Sequence, residues 1–346
     1  MSTPEGHLRI RVRRGRAEDT EAVLAFTRST WDGWDYLPDV WALWLDARDG
    51  AVFVAEAAAT AGHPPGRPIA VGRIALLAPG ESWMEGLRVD PAVRGRGVAT
   101  SFQFAELTWV QAQGATVVRY ATGETNEASL RLGARHGFSP AGRWRAIRPA
   151  EPDGSPAGGA ARPTVLARLH ALGVVVGEEG GTQDQWERLR EDATFRGGEG
   201  LYEWRAWAWQ ALTKARLGRH RARGELLVID AADGWALGLL AHERVAGETR
   251  LALLGGDAGP ARRLVDAVTQ VAGRRPIVRL PDPSPLLDGL GPALEGAGWR
   301  TGEHALALMA RPLVDAAGRP LPLPDDDADR VEFVERPRRL GLVSRE

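Results

Sequence analysis

The stretch Leu87-Arg88-Val89-Asp90-Pro91-Ala92-Val93-Arg94-Gly95-Arg96-Gly97-Val98-Ala99 joins an apolar strand pattern to a proline stop and a glycine-arginine loop. Pro91 has no N–H to give to a ladder, so the strand should end there. Gly95 and Gly97 allow a tight turn and a close approach of a ligand to the amides. A helix is expected from Gly97 to Gln113, and its first N–H groups point back into the loop without partners. Those donors, with the positive end of the helix dipole, suit a phosphate. Arg94 and Arg96 add charge at the rim. The loop lacks the Gly-Lys-Ser/Thr of a nucleoside-triphosphate loop, and Thr100 stands where a dinucleotide fingerprint needs its third glycine. Glu85 lies on the strand leading in. Alternation groups Trp83, Glu85, Leu87 and Val89 on one face. A carboxylate partly buried there has its pKa raised toward that of a general base. The same carboxylate paired with an arginine is structural, and facing an ammonium it is a binding group.

A second candidate cluster is the run Trp31-Asp32-Gly33-Trp34-Asp35-Tyr36. Trp31, Trp34 and Tyr36 offer π faces to a cation, and Asp32 and Asp35 offer carboxylates to an ammonium. Trp41 and Trp44 fall on the helix that follows and read as core.

The run Glu85-Gly86-Leu87-Arg88-Val89-Asp90-Pro91, the loop Arg94-Gly95-Arg96-Gly97-Val98-Ala99, and Asn126 with Gly137-Phe138 downstream together resemble motif A and its sequel in the GNAT superfamily. These are acyl-CoA-dependent N-acetyltransferases. The resemblance implies acetyl-CoA as acyl donor and direct attack by an amine within a ternary complex. It assigns amides near Leu87 and Val89 to the thioester and pantetheine, and amides of Arg94, Gly95, Arg96, Gly97, Val98 and Ala99 to the pyrophosphate. Asn126 either contacts the CoA arm or simply caps its own helix. The pattern departs at Gly133, where many members carry a tyrosine that reprotonates the CoA thiolate. Tyr120, Ser129 or water is left for that task. His136, at the end of the same helix, suits packing or a dipole role better than acid catalysis. Gly33-x-Asp35-Tyr36-Leu37-Pro38, the Glu85–Val89 strand and the loop are also similar to the histidine N-acetyltransferase group. That similarity implies a free amino acid or a similar small amine as acceptor. Without catalysis, the same features would serve a CoA-binding sensor or structural module.

The elements that would position these residues follow in order. Strands are predicted at His7–Arg13, Ala51–Ala57, Pro68–Leu77, Ser82–Val89 and Thr116–Ala121, with helices at Ala17–Ser29, Pro38–Arg48 and Asn126–His136. Arg143–Arg148 and Pro163–Leu169 read as closing strands around a Pro- and Gly-rich loop. This order is that of the GNAT fold. It then begins again: Asp184 and Trp209 repeat Asp19 and Trp44 at one common spacing, and a Gly-aromatic loop again enters a Trp-rich segment expected to be helical. The expected class is α/β (α+β), with two tandem GNAT-like domains, each a mostly antiparallel mixed sheet flanked by helices. The catalytic domain is expected at 1–171, a degenerate copy at 172–314 and a tail at 315–346. The second copy reads as degenerate because Asp257 puts negative charge where Arg94 lay and Pro260 removes an amide donor.

Composition limits the classes. The chain has 346 residues, 44% of them hydrophobic, which suffices for two packed domains. Its formal net charge is −1, so no global field recruits nucleic acid or a membrane surface. There is no cysteine, which excludes disulfides, thiolate metal sites and a thiol nucleophile. No run of residues is long and apolar enough to span a bilayer, and the first residues lack the regions of a signal peptide, so a cytoplasmic location is expected. Oligomeric state is left open.

Overall fold

The computed structural model describes residues 7–28, 30, 33, 35–57, 66–150, 168–176, 181–242 and 249–335. Trp31, Asp32 and Trp34, and most of the predicted strand Pro163–Leu169, lie outside them. Residues 168–171 are helical.

The chain divides into two compact units. One comprises Met1–Tyr120, Glu127–Ser139 and Met309–Glu346, the other Ala121–Asn126 and Pro140–Leu308. In the first, β1 (Ile10–Arg14), β2 (Gly50–Ala57), β3 (Pro68–Ala78) and β4 (Glu81–Val89) form an antiparallel meander. Helices α1 (Thr20–Thr27) and α2 (Leu37–Asp46) fill the connection between β1 and β2. Helix α3 (Val98–Ala112) carries the chain across to β5 (Val117–Gly123), which pairs parallel to β4, and α4 (Glu127–Arg135) follows. The periodicity of β2 explains its central place: Phe53 and Ala55 pack on the α3 side, Val52 and Val54 on the α1–α2 side. Trp41 and Trp44 are core residues, as their helical spacing predicts.

The stretch after Leu313 returns to this unit. Gln111 Nε2 donates to the Leu321 carbonyl at 2.8 Å and Arg9 Nη2 to the Asp329 carbonyl at 2.7 Å. A last strand, Val331–Phe333, pairs parallel to β1 with Ile10 opposite Val331. Of the residues read as a separate tail from 315 onward, those up to 335 are described, and they include an edge strand and a strap of the first unit. Conversely, the stretch Arg143–Arg148, expected to close the first domain, is part of a longer strand, Ser139–Pro149, that runs almost wholly in the second unit.

In the second unit that strand pairs antiparallel with Ile277–Pro281, which lies parallel to Thr249–Gly256, followed by Gly234–His242 and Leu226–Ala231. Helix Ala258–Ala272 packs its apolar stripe of Leu264, Val265, Val268 and Val271 on this sheet. The expected Trp-rich helix is instead a hairpin, Leu201–Arg205 with Ala208–Ala211. Tyr202, Trp204 and Trp209 are β-prone, and a bulge between Glu203 and Arg205 leaves Trp204 exposed although Tyr202 two residues before it is buried. No helix among the described residues is long and apolar enough to cross a membrane.

Candidate active site

Strand β4 pairs with β5 only from Glu81 to Trp83, opposite Val117 to Arg119, yet it runs on to Val89. Past Trp83 its edge leaves β5. On its other side Arg73 pairs with Glu85 and Val71 with Arg88, so Gly72 alone stands opposite both Gly86 and Leu87. This is a β-bulge. Gly86 has φ +72, and a Cβ there would strike the Trp44 ring. Only glycine meets both demands.

The bulge overturns one expectation. Met84 is core on the α3 side, and Leu87 and Val89 pack against that same core, whereas Glu85 and Arg88 meet residues of the α1–α2 side. Simple alternation put Glu85, Leu87 and Val89 together, and the extra residue at Gly86 reverses the last two.

Beyond β4, the side chain of Asp90 accepts the Ala92 N–H at 2.9 Å and caps a short turn over Pro91–Val93. Gly95 (φ +75) and Gly97 (φ +77) are both left-handed, and Gly97 is the N-cap of α3. Nothing lies within 4 Å of where a Gly95 Cβ would be. Gly97 differs, because its bare side faces the His7 ring at 3.2 Å. The Leu8 N–H donates to the Arg96 carbonyl at 3.0 Å, tying the segment before β1 to the loop. Arg94 is exposed and folds its Nε back to the Val89 carbonyl at 3.3 Å. The loop amides thus open a fifteen-residue helix with two arginines beside them, which suits a diphosphate.

On the α1–α2 face, Arg73 is 1% exposed and donates to both Glu85 and Asp49, its guanidinium 5.6 Å from the Trp44 ring centre. Glu85 keeps 14% of its side chain accessible. Asp35, expected to hold an ammonium, is fully buried. Its carboxylate accepts Arg88 Nε at 2.8 Å and the Leu37 N–H at 2.9 Å. It anchors the entry to α2. Tyr36 meets Trp44 edge-on at 6.0 Å, and burial pushes its phenol up to about 12. Among the acceptor candidates, Asp35 and Tyr36 are therefore placed together beside Glu85's strand.

Tyr120 on β5 carries its hydroxyl over Gly133, where a Cβ would collide with it. That hydroxyl donates to the Ser129 carbonyl at 3.0 Å, the ring stands edge-on to Phe138 at 5.0 Å, and burial pushes the phenol up to about 12. In this arrangement the Tyr120 proton is directed at α4, and the side chain fills the space Gly133 leaves. His136 is fully buried with neither ring nitrogen hydrogen-bonded. Burial pulls it down to about 4, so it is a neutral packing residue. Asn126 is exposed in a turn closed by its own N–H to the Gly123 carbonyl, at 2.9 Å. It belongs to the second unit.

Sequence reading missed Arg73 and Arg88. For Arg73 the signal was present, since it is the single charge in the apolar strand Pro68–Ala78 and requires a buried partner; Arg88 shares β4 with Glu81 and Glu85 and carried no such mark.

This fold is similar to that of solved GCN5-related N-acetyltransferases. Residues 20–138 match the acetyltransferase (GNAT) family. The GCN5-related N-acetyltransferase from Sphaerobacter thermophilus is similar in structure, with a TM-score of 0.53 and 17% identity over 92% of this chain and 98% of that one. The glucosamine N-acetyltransferase region of a fungal multi-domain GH3 β-N-acetylglucosaminidase has a TM-score of 0.53 and 14% identity, over 90% of this chain and 39% of that one. In sequence, the chain is 34% identical over 83 residues to the histidine N-acetyltransferases of Scomber australasicus and Oreochromis niloticus. That stretch is 24% of this chain and spans only 23% of the length of those curated relatives.

Proposed function

We propose that the chain is an acetyl-CoA-dependent N-acetyltransferase acting on a small amine such as a free amino acid. The observation that carries this is the bulged edge of β4, leaving β5 and running into the Gly95–Gly97 loop at the head of α3. The edge at Leu87 and Val89 would receive pantetheine and thioester, and the amides from Arg94 to Ala99 the pyrophosphate. The amine nitrogen, freed of one proton by Glu85 directly or through water, attacks the thioester carbonyl carbon. The tetrahedral adduct expels CoA thiolate as the C–S bond breaks, the amide nitrogen loses its remaining extra proton, and solvent protonates the thiolate. Free histidine is the first acceptor to try, because the stretches around Asp35–Pro38 and Glu85–Val89 carry the likeness to histidine N-acetyltransferases.

The second unit is read as a copy that has lost the donor site. Asp257 precedes its long helix and accepts the Trp235 N–H at 3.0 Å, and Pro260 is buried in the first turn.

The test is thiol release from acetyl-CoA with a panel of L-histidine, other amino acids and polyamines. A thiol reagent reads CoA alone, since the protein has no cysteine. Turnover with at least one amine is expected. A second reading, a CoA-binding module without catalysis, is favoured by the engagement of Glu85 with Arg73 and of Tyr120 with Ser129. Tight CoA binding with no thiol release from any amine would select it.

A further inference from the structure

The stretches on either side of the acceptor cluster meet through one side chain. Arg88 Nε donates to Asp35 Oδ2 at 2.8 Å and Nη2 to Oδ1 at 3.3 Å. Nη1 donates to the Leu87 carbonyl at 3.0 Å, and the guanidinium carbon lies 5.4 Å from the centre of the Tyr36 ring. The Arg88 side chain is only 12% exposed. Asp35 Oδ1 also takes the Leu37 N–H, so this carboxylate joins the first turn of α2 to β4. A two-point guanidinium–carboxylate contact fixes angle as well as distance.

We propose that Arg88 is the positioning residue of the acceptor subsite, locking the Asp35–Tyr36 segment onto β4 so that acceptor wall and donor edge keep one spacing. The inference rests on the acetyltransferase reading. The main chain of Arg88 lies between Leu87 and Val89, the residues that face the thioester. Its side chain, turned to the α1–α2 face by the bulge at Gly86, holds buried Asp35 and with it the adjoining Tyr36, the acceptor candidate that keeps some exposure. One residue therefore sets the separation of the two reactants. A shift of about an ångström at such a point costs rate steeply, on the order of a hundredfold. Neither Arg88 nor Asp35 touches reacting atoms in this arrangement.

Replacing Arg88 alone by methionine strands a charge on buried Asp35 and threatens folding. The informative variant is the double substitution Asp35→Asn with Arg88→Met, which removes both charges and keeps an oxygen for the Leu37 N–H. Arg88→Lys is its companion, retaining charge without the planar fork. Steady-state kinetics with acetyl-CoA and L-histidine, or the fastest amine of the panel, are read beside calorimetric titration with CoA and thermal melting. The double variant should melt near wild type and bind CoA within about threefold, while its acceptor kcat/KM falls about a hundredfold through both a raised KM and a lowered kcat. Arg88→Lys should fall in between, about tenfold down. If the double variant does not fold, the lysine variant decides on the same readouts. Wild-type acceptor kinetics in a folded variant overturn the proposal. So does CoA affinity falling in step with kcat/KM, because the pair then only holds the strand. A wild-type protein inactive with every amine removes the acetyltransferase reading and this role with it, whereas an active enzyme indifferent to the substitutions removes this role alone.

Discussion

Glu85 meets Arg73 before it meets any substrate. That pairing is what a structural carboxylate would show, while the remaining 14% exposure of Glu85 leaves a path for one water or one amine. Glu85→Gln should lower kcat about a hundredfold and change acceptor KM by less than about threefold. A change confined to KM would make Glu85 a substrate contact. Two other buried groups of the first unit shape its response to pH in opposite senses. His136 is pulled down to about 4, chiefly by burial. The unfolded chain takes up that proton near the ordinary imidazole value, so stability from His136 is full above it and is lost as pH falls toward 4, by about 3 kcal/mol in all. Glu106 on α3 points at Gly72 with neither carboxyl oxygen hydrogen-bonded, and burial raises its pKa well above the usual carboxylate value. Stability from its neutral form is full below that usual value and is lost as pH rises through the raised one. Melting temperatures across the range should show His136→Gln flattening the acid limb and Glu106→Gln the alkaline limb.

At the level of elements, the loop before α3 separates backbone demand from ligand demand. Asparagine and aspartate both tolerate left-handed backbone. Gly95→Asn and Gly95→Asp should therefore destabilise alike, by about 1 kcal/mol. Only aspartate sets a negative charge on the open side of the loop. Calorimetry should show CoA affinity at least about tenfold weaker for Gly95→Asp than for Gly95→Asn. Gly97 is the poorer probe, since a side chain there pushes on His7 before it reaches a ligand. The strands, helices and loop of the first half were legible in the sequence because their periodicity and punctuation are local: Pro91 stops β4 and Gly97 starts α3. The face carried by Leu87 was not legible. Alternation counts residues, and the count fails once Gly86 inserts an unpaired one. The burial of Asp35 was hidden for a related reason, because its partner lies across a bulge whose effect on Arg88 cannot be counted from either end.

For the whole molecule, contiguity in sequence misleads. The first unit needs Met309–Glu346 as well as Met1–Tyr120 and Glu127–Ser139. A short parallel strand such as Val331–Phe333 carries almost no pattern of its own, and its partner β1 is more than three hundred residues away. That is why the end of the chain read as a tail. A fragment of residues 1–171 would lack that strand and the buried Leu313, leaving the edge of β1 open. It should be aggregated or low-melting by size-exclusion chromatography and calorimetry, while the full chain is not. Return of a well-folded, CoA-binding 1–171 fragment would contradict the division of the units.

The parallel pairing of β1 with the strand at Val331 also has a meaning for synthesis. A ribosome delivers about 5–20 residues each second, and domains tend to form as their chain emerges. Everything from Pro140 to Leu308 is delivered before the first sheet can receive its last strand. The inner unit can mature while the outer one waits, its β1 edge unsheathed for tens of seconds. Birth order and sequence order are thus reversed: the half that holds the proposed chemistry is begun first and finished last.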